Sequence, residues 1–235
     1  GGKRLRPVLL LLSYNMYKED VELALPTALG VETYHNYTLL HDDVMDRAEV
    51  RRGKPCVHKV WNENTAILSG DSMLVMAYQL VAQCPEHCLK HVMDLFTDTA
   101  LEIGEGQQYD VDFENRMDVR PEEYIEMIRL KTSVLLACAL KLGAIQAGAP
   151  QADADLLYKF GESIVMQNEF GVFKSVAEGS GAESDTVSET GTKFIEHVQY
   201  MKEFVVTAEM VEDCNYGLAI DAKRRAENFT RAYYK

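Results

Sequence analysis

The sequence predicts an all-α protein, a single-domain helical bundle around a central cavity. Long stretches carry apolar residues at the spacing of one helix face, and they are too long to be strands. Alternating runs rich in β-branched residues, which would indicate a sheet, are absent from the sequence. With 235 residues, 47% of them hydrophobic, the chain can bury a sizeable core. Polar groups on facing helices of such a bundle can converge on a cavity.

Turn and helix-start residues divide these stretches into successive elements. Pro121, Glu122 and Glu123 indicate a helix start, because proline suits the first helical position and acids there face the positive end of the helix dipole. Pro26 falls inside an apolar stretch and can kink it. The predicted helices are Val8 to Tyr17, Val21 to Leu40, Asn64 to Ala82, Glu86 to Asp110, Pro121 to Ala147 and Asp153 to Met166.

The last third of the chain has a different pattern. Residues Gly179 to Thr192, GSGAESDTVSETGT, are small, polar and acidic, which is typical of a flexible loop. Helical spacing resumes from Lys193 to about Val211 and again from Gly217 to Tyr234. The sequence contains no internal repeat, so residues 1–235 are expected to form one domain.

Composition argues against several classes of function. The formal charge of −13 disfavours a partner made of nucleic acid, for which a basic face is expected. No apolar run approaches the roughly 18 residues that cross a bilayer, so stable membrane insertion is not expected. Five cysteines with no regular spacing fit a reducing compartment, and we expect a cytoplasmic protein. Because the chain starts at Gly1 without a methionine, we expect an N-terminal piece to be missing.

One group of cysteines and histidines has the spacing of zinc ligands. Cys84, His87, Cys88 and His91 fall at i, i+3, i+4 and i+7, which would place them on one helix face. Pro85 lies inside this set and is more typical of a helix start than of a helix interior. We therefore favour a short loop followed by a helix N-terminus over a zinc site.

The segment LLHDDVMDRAEVRRGKP contains a cluster of acidic residues. Asp42, Asp43 and Asp46 occupy positions i, i+1 and i+4, and on a helix i and i+4 share a face. Carboxylates crowded in this way repel one another unless a cation lies between them. Mg²⁺ suits them best, because it takes one or two carboxylates and completes its shell with water and phosphate oxygens.

The same segment continues with two arginines. Arg51 and Arg52 carry planar guanidinium groups that fit phosphate oxygens in pairs. Carboxylates for a metal and arginines for phosphate together predict a diphosphate site. The alternative is a solvated acidic helix end followed by a basic turn. The overall negative charge does not conflict with a diphosphate ligand, since bound Mg²⁺ inverts the local field.

This segment resembles the first aspartate-rich motif of the trans-polyprenyl diphosphate synthases of the short-chain, farnesyl and geranylgeranyl type. The segments GGKRLRP (Gly1 to Pro7) and KTSVLLACALKLGA (Lys131 to Ala144) resemble two further motifs, and the likeness runs from Gly1 to about Ile164. It implies an isoprenoid synthase-like fold, a homodimer, and a prenyltransferase that uses two or three Mg²⁺ ions. Such an enzyme joins isopentenyl diphosphate head to tail to an allylic diphosphate.

The resemblance also implies a role for individual residues. Asp42, Asp43 and Asp46, with Asp110, would bind Mg²⁺, and Arg51 would reach the allylic diphosphate. The residues implied for isopentenyl diphosphate are Lys3, Arg6, His35 and Arg52. The residues implied near the leaving group and the new carbocation are Lys131 and Thr132, with Gln107 beside them.

Several of these residues have an ordinary structural alternative. Lys3 and Arg6 also fit a basic N-terminal turn, and a histidine such as His35 on an apolar helix is more often a core residue than a ligand. Gln107 and Asp110 also fit a polar helix stripe. Their joint occurrence at these spacings favours the site.

Product length follows from volume next to the motif. In this family the growing chain runs along the motif helix, so Tyr37 and Thr38, five and four residues before Asp42, would lie at the tunnel floor. A tyrosine there fills space that a long prenyl tail would need, and a close-packed interior does not readily yield it. We expect a short product, C15 or C20. Only two residues separate Asp43 from Asp46, which leaves C20 at least as favoured as C15.

The chain departs from the family pattern after Ile164. A second aspartate-rich motif resembling FQxxDDxxD is expected there, yet no DDxxD occurs after Asp46. We favour the explanation that the given chain lacks segments or carries misassigned residues in this region, because the charged residues before Ile164 are retained. An unrelated helical tail is another explanation.

Two alternative functions are left open by this departure. A non-catalytic or regulatory prenyl-synthase subunit would lack the second aspartate motif. A terpene cyclase also uses an aspartate-rich motif in an all-α fold. The segment GGKRLRP and the paired arginines favour the synthase over the cyclase, because a cyclase has no second diphosphate substrate to hold.

Overall fold

The structure is a computed structural model that describes residues 2–169, and these residues form a helical bundle, which confirms the all-α prediction. The predicted loop at 179–192, the helices predicted beyond it and most of the segment that departs from the family pattern lie outside the described residues. The helices are α1 (Leu5–Asn15), α2 (Leu25–Met45), α3 (Val57–Val60), α4 (Glu63–Val81), α5 (Leu89–Phe113), α6 (Pro121–Ile128), α7 (Val134–Ala147) and α8 (Gln151–Glu169).

Helix α7 forms the centre of the bundle. Its residues are apolar on almost every side, as expected for a helix surrounded by others, and Ala137, Leu140 and Leu142 are fully buried. Helices α1, α5 and α8 pack around it, while α2 packs chiefly on α4. The main hydrophobic cluster therefore joins α7 to the inner faces of α1, α2, α4 and α5.

Helix α2 begins and ends differently from its prediction. A 3₁₀ turn occupies Val21–Ala24, and Pro26 lies in the first turn of α2, where its missing N–H removes no helical hydrogen bond. The kink considered at Pro26 is therefore a helix start. At the other end α2 runs past Leu40 to Met45, so that the aspartate motif forms its last turn.

A short hairpin follows α2, which the sequence did not predict. Strand β1 (Val50–Arg51) pairs antiparallel with β2 (Lys54–Pro55). Arg52 and Gly53 connect them with φ angles of 54° and 76°, and positive φ at both central residues is typical of a type I′ turn. Strands of two residues are too short to produce a recognisable alternation in the sequence.

The helix predicted from Pro121 to Ala147 contains an interruption. Between α6 and α7, residues Arg129–Ser133 form a π-helical turn, so the chain stays helical but gains a wider turn. Lys131 and Thr132 lie in this π segment. The remaining predicted helices agree with the structure to within a few residues at each end.

The loop and helix start favoured around Pro85 are confirmed. Pro85 precedes a 3₁₀ turn at Glu86–Cys88, and α5 begins directly after it. Cys84 and Cys88 are buried, and burial raises the pKa of Cys84 to about 11. The thiol is therefore protonated at neutral pH.

Within the described part of the chain, no single helix is long and apolar enough to cross a membrane. Glu63–Val81 and Glu86–Phe113 meet the criteria of length and composition only as a pair, and this pair is bent by 110°.

Candidate active site

The three aspartates of the motif lie at the C-terminal end of α2. Asp42 and Asp43 belong to its last turn and Asp46 is the residue that caps it. The amides of Asp46, Arg47 and Ala48 bond back to carbonyls of α2, with Arg47 at a φ of 52°. A helix C-terminus carries partial negative charge, so the fold adds to the charge of the carboxylates instead of opposing it.

Arg51 on β1 supplies the first counter-charge. Its Nε donates to Oδ1 of Asp43 at 2.6 Å and its Nη2 donates to Oδ2 of Asp42 at 3.2 Å. Asp43 is buried, so this guanidinium is what makes an ionised carboxylate tolerable at that position. The hairpin therefore folds back onto the end of the helix that precedes it.

Lys131 in the π segment supplies the second counter-charge. Its Nζ donates to Oδ1 of Asp42 at 3.0 Å and to Oδ2 of Asp110 on α5 at 2.5 Å. Burial alone would lower the pKa of Lys131, but the hydrogen bonds to Asp110 and Asp42 outweigh it and raise that pKa. Lys131 therefore stays charged and joins α2, α5 and the π segment at one point.

Asp46 and Asp110 extend the cluster of carboxylates towards solvent. Burial raises the pKa of Asp46, and the neighbouring charges of Asp42 and Asp110 raise it further, while Lys131 acts in the opposite direction. Asp42, Asp46 and Asp110 are thus close enough to repel one another. A cation placed among them would relieve that repulsion.

The carboxylates fit Mg²⁺ by their chemistry. Among residues 2–169, no group of three or more His, Cys, Asp or Glu side chains is arranged to hold a metal ion, and Arg51 and Lys131 occupy oxygens of Asp42, Asp43 and Asp110. Mg²⁺ needs only one or two protein carboxylates, since water and substrate phosphates complete its shell. The hard oxygen donors present are the ones that it prefers.

A second site, which is basic, lies beside the carboxylates. A cavity of about 300 Å³ is lined by residues from the N-terminal segment, the start of α1, α2 and the hairpin, namely Gly2, Lys3, Arg4, Leu5, Arg6, Glu32, His35 and Arg52. Four of these side chains are cationic and one is a carboxylate, so the cavity is suited to an anion. Below, we call it the basic cavity.

His35 in the basic cavity is neutral. Burial lowers its pKa to about 3, helped by the positive charges of Arg6, Arg52, Arg51 and Arg4. Its Nε2 lies 3.2 Å from Nη1 of Arg6, and because a guanidinium can only donate, this nitrogen accepts. His35 therefore orients Arg6 and carries its own proton on Nδ1.

The hairpin sends two consecutive arginines to different sites. Arg51 reaches the aspartates, whereas Arg52 lines the basic cavity and lies against the N-terminal segment, with Nη2 2.6 Å from the point where a Cβ on Gly2 would be. The positive φ of Arg52 turns the chain between the two residues. The two sites therefore adjoin, with the arginine pair as the boundary.

Three other predicted site residues have less distinctive surroundings. The amide Nε2 of Gln107 is buried and has no hydrogen-bond partner among the described residues, which is consistent with a ligand-binding role. Thr132 is half-buried in the π segment. The hydroxyl of Thr38 donates to the carbonyl of His35 at 2.8 Å within α2.

Tyr37 belongs to a group of aromatic side chains below the aspartates. Its ring lies 5.4 Å from that of Tyr34, and Tyr34 and Tyr78 each contact Phe96 edge-on at 5.3 and 5.1 Å. Tyr34 also donates to the carbonyl of Ala100 on α5 at 3.2 Å. At about 1.5 Å rise per residue, Tyr37 starts about 7.5 Å and Tyr34 about 12 Å from Asp42 along α2. We call Tyr34, Tyr37, Tyr78 and Phe96 the aromatic group.

An ion pair in the basic cavity was missed from the sequence. Nη1 of Arg4 donates to Oε1 of Glu32 at 2.7 Å, and the Glu32 side chain is only 5% exposed. Arg4 adopts a φ of 53°, unusual outside glycine, directly before α1. The available signal was spacing, because Glu32 lies one helical turn before His35 and shares its face.

Comparisons with known proteins identify the class to which this fold and site belong. The family model described as Polyprenyl synthetase matches residues 1–167, consistent with a likeness that ends near Ile164. The chain therefore belongs to the polyprenyl synthetase family. A geranylgeranyl diphosphate synthase from Methanosarcina mazei is 45% identical over 167 residues, which cover 70% of this chain and 51% of that protein.

Two solved structures support the same assignment. A geranylgeranyl pyrophosphate synthetase from the archaeon Geoglobus acetivorans is 30% identical with a TM-score of 0.67, covering 97% of this chain and 78% of that one. A polyprenyl synthase from Caulobacter crescentus CB15, complexed with calcium and isoprenyl diphosphate, is 31% identical with a TM-score of 0.65, covering 69% and 48%. The chain spans about half the length of the Methanosarcina relative that it matches.

The neutral state of His35 predicts a pH dependence of stability. Its pKa in the folded protein is about 3, below the ordinary 6.5, so the unfolded chain binds the extra proton. The stability that the folded protein gains from a neutral His35 is complete above pH 6.5 and is lost as the pH falls towards 3. His35→Gln retains an acceptor for Arg6 but does not titrate. Relative to that variant, the wild type should lose up to about 1.4 kcal/mol of unfolding free energy per pH unit.

Urea unfolding followed by circular dichroism, at several pH values between 4 and 7, measures this difference. Other groups titrate in the same range in both proteins, so only the difference between the two curves reports on His35. Curves that stay parallel over the whole range would contradict a neutral His35.

Proposed function

We propose that the protein is a Mg²⁺-dependent prenyltransferase that condenses isopentenyl diphosphate with an allylic diphosphate, head to tail. The observation that carries this proposal is the division of Arg51 and Arg52 between two adjoining sites. A carboxylate site with a cationic rim fits a metal-bound diphosphate, and the basic cavity fits a second diphosphate without a metal. The Caulobacter crescentus relative, complexed with calcium and isoprenyl diphosphate, supports this assignment of ligands.

Loss of the allylic diphosphate as an anion is the difficult step. Asp42, Asp46 and Asp110 would hold Mg²⁺, which when bound supplies Lewis-acid stabilisation of the leaving diphosphate. Arg51 and Lys131 already lie against these carboxylates and can donate hydrogen bonds to the departing phosphate oxygens as their charge develops. Catalysis of this kind is electrostatic, so it needs no nucleophilic side chain.

The basic cavity would hold isopentenyl diphosphate. Lys3, Arg6 and Arg52 would bind its phosphate oxygens, with His35 orienting Arg6. Arg4 is paired with the buried Glu32, so it serves the shape of the cavity and not the ligand. Two substrates bound side by side in this way would bring the allylic carbon next to the isopentenyl double bond.

A C15 or C20 product is proposed on the basis of the aromatic group. Tyr37 and Tyr34 fill the space between α2, α4 and α5 on the line that leads down α2 from Asp42. The Methanosarcina mazei and Geoglobus acetivorans relatives are named geranylgeranyl synthases, which favours C20.

Assembly as a homodimer is also proposed, since Leu68 and Val75, seven residues apart on α4, are largely exposed apolar side chains. A cytoplasmic location remains a prediction.

A non-catalytic prenyl-diphosphate-binding subunit is the second candidate. The observation that favours it is the absence of a DDxxD sequence after Asp46. Such a protein would bind Mg²⁺ and substrate but form no product on its own. A terpene cyclase has no need of the basic cavity, and we do not propose it.

A product assay separates these candidates. The protein is incubated with Mg²⁺, isopentenyl diphosphate and, in turn, dimethylallyl, geranyl and farnesyl diphosphate, and the dephosphorylated alcohols are separated by chromatography. Elongation of an allylic primer supports the synthase. Binding of both diphosphates by calorimetry without any elongation would support the non-catalytic subunit instead.

Activity should depend on Asp42. Asp42→Ala removes a partner of both Lys131 and Arg51 and a metal-binding carboxylate, so turnover should fall by several orders of magnitude with the helical content unchanged. Asp94→Ala on the exposed face of α5 is the matched control, and it should retain the wild-type rate. An unchanged rate in Asp42→Ala would refute the metal assignment.

The two arginines should affect different substrates. Arg52→Ala should weaken isopentenyl diphosphate by about 1.5–3 kcal/mol, because it removes a charged hydrogen-bond donor to the phosphate, with a smaller effect on the allylic substrate. Arg51→Ala should do the reverse. Steady-state KM values for each substrate, or calorimetry with each alone, measure the contrast. Equal losses for both substrates in both variants would show that the sites are wrongly assigned.

Product length should respond to Tyr37. Tyr37→Ala opens a cavity in the aromatic group, and a longer prenyl tail can fill it, so longer products are expected at a similar rate of isopentenyl consumption. The exposed Tyr124→Ala is the control and should leave the product distribution unchanged. If the Tyr37 variant keeps the wild-type distribution, Tyr37 does not form the floor.

A further inference from the structure

The π segment carries Lys131, one of the residues on which the proposed chemistry depends. A helix rarely adopts the π form, and single π turns inside α-helices occur frequently at functional sites. Here the π turn covers Arg129–Ser133, and Lys131 within it reaches both Asp42 and Asp110. The position of this short segment relative to α5 therefore decides whether Lys131 can bridge the two carboxylates.

Gly106 on α5 is where the backbones of α5 and the π segment meet. A Cβ built on Gly106 would lie 2.4 Å from the backbone nitrogen of Lys131 and 2.8 Å from the backbone carbon of Leu130. Both atoms belong to the main chain, so no side chain can rotate away to make room. Any residue larger than glycine must push the π segment away from α5.

Asp110 lies one helical turn after Gly106 on the same helix. A displacement at Gly106 therefore acts directly on the distance between the Lys131 backbone and the carboxylate that its Nζ contacts. The close approach at Gly106 and the ion pair at Asp110 are successive contacts along one interface between α5 and the π segment.

Arg129 secures the beginning of the same segment. Its Nε and Nη2 donate to the two carboxylate oxygens of Glu126, each at 2.8 Å, and its Nη1 donates to Glu162 on α8 at 3.1 Å. The same Nη1 lies 3.9 Å from Glu102, one turn before Gly106 on α5. The π segment is thus tied to α5 and α8 at one end and touches α5 at Gly106.

We propose that Gly106 is a positioning residue, and that its missing side chain lets the π segment lie close enough to α5 for Lys131 to bridge Asp42 and Asp110. Arg129 is the second positioning residue, which holds the segment in that place. The proposal rests on the proposed function, in which Lys131 acts on the leaving diphosphate. Neither residue lines the basic cavity, so both act on the chemical step and not on isopentenyl diphosphate.

Gly104 on the same helix supplies a matched control. A Cβ on Gly104 would have nothing within 4 Å, whereas one on Gly106 would overlap the π backbone. Gly104→Ala and Gly106→Ala make the same chemical change two residues apart in α5 and have the same effect on helix propensity. The difference between them isolates the contact with the π segment.

Steady-state kinetics of the full chain give the main test. A displacement of about 1 Å at a catalytic group costs about 10²-fold in rate, so Gly106→Ala should lower kcat by about that factor. Its KM for isopentenyl diphosphate should stay near the wild-type value, and Gly104→Ala should keep both parameters. Equal kcat values in the two variants would overturn the proposal. A rise of the isopentenyl KM in step with the fall of kcat would indicate general disruption and would also overturn it.

Two further measurements separate this proposal from folding and from the proposed function. Arg129→Gln should lower kcat with the isopentenyl KM unchanged, and Arg129→Lys, which keeps the charge, should recover part of the loss. Absence of any recovery together with a lowered melting temperature in both would indicate packing alone and overturn the role of Arg129. If the wild type elongates no primer, the proposed function fails. Calorimetric binding of inorganic diphosphate with Mg²⁺ then still tests Gly106, since its alanine variant should bind at least about tenfold more weakly than Gly104→Ala.

Discussion

The excess of negative charge at the C-terminal end of α2 is the constraint on which the rest of the site depends. Asp42, Asp43 and Asp46 add their charges to the negative end of the helix dipole, and Asp43 is buried. Two cations from different elements meet this charge, Arg51 from the hairpin and Lys131 from the π segment. Because each cation comes from a different element, compensation of the carboxylates also fixes the relative positions of the hairpin, α2, α5 and α7. The carboxylate cluster is therefore a point at which these elements are held together.

The hairpin converts one pair of neighbouring arginines into two sites. In an extended strand, consecutive side chains point to opposite faces, and here the turn at Arg52 and Gly53 adds a further change of direction. Gly53, with a φ of 76°, accepts the left-handed conformation that the second turn position requires. Because Arg51 and Arg52 are adjacent in sequence, the two regions proposed to bind diphosphates lie side by side. This arrangement suits the proposed reaction between two diphosphate esters.

The sequence predicted the features that leave a regular spacing of apolar residues or a distinctive combination of residue types. The helices follow from apolar spacing, and the aspartate and arginine residues were recognised from the types of group present. Features set by a single contact were missed. The π turn at Arg129–Ser133 does not alter the apolar pattern enough to be seen, the hairpin is too short to alternate, and Pro26 is compatible with both a kink and a helix start. Arg4 and Glu32 are 28 residues apart and pair only because α1 and α2 pack together. The fold brings the predicted metal ligands near one another. The sequence alone does not show which carboxylates pair with Arg51 and which with Lys131.

Exposure distinguishes the ion pairs that can exchange partners from those that cannot. The side chains of Asp110 and Lys131 are 34% and 26% exposed, so water screens this pair and a phosphate oxygen can replace the carboxylate at small cost. Glu32, at 5%, has no such access, and separating it from Arg4 would leave a buried charge without compensation. The Arg4–Glu32 pair is therefore a fixed part of the basic cavity. The Lys131–Asp110 pair can exchange partners instead, and in the proposed function a metal-bound diphosphate would take over both of its charges.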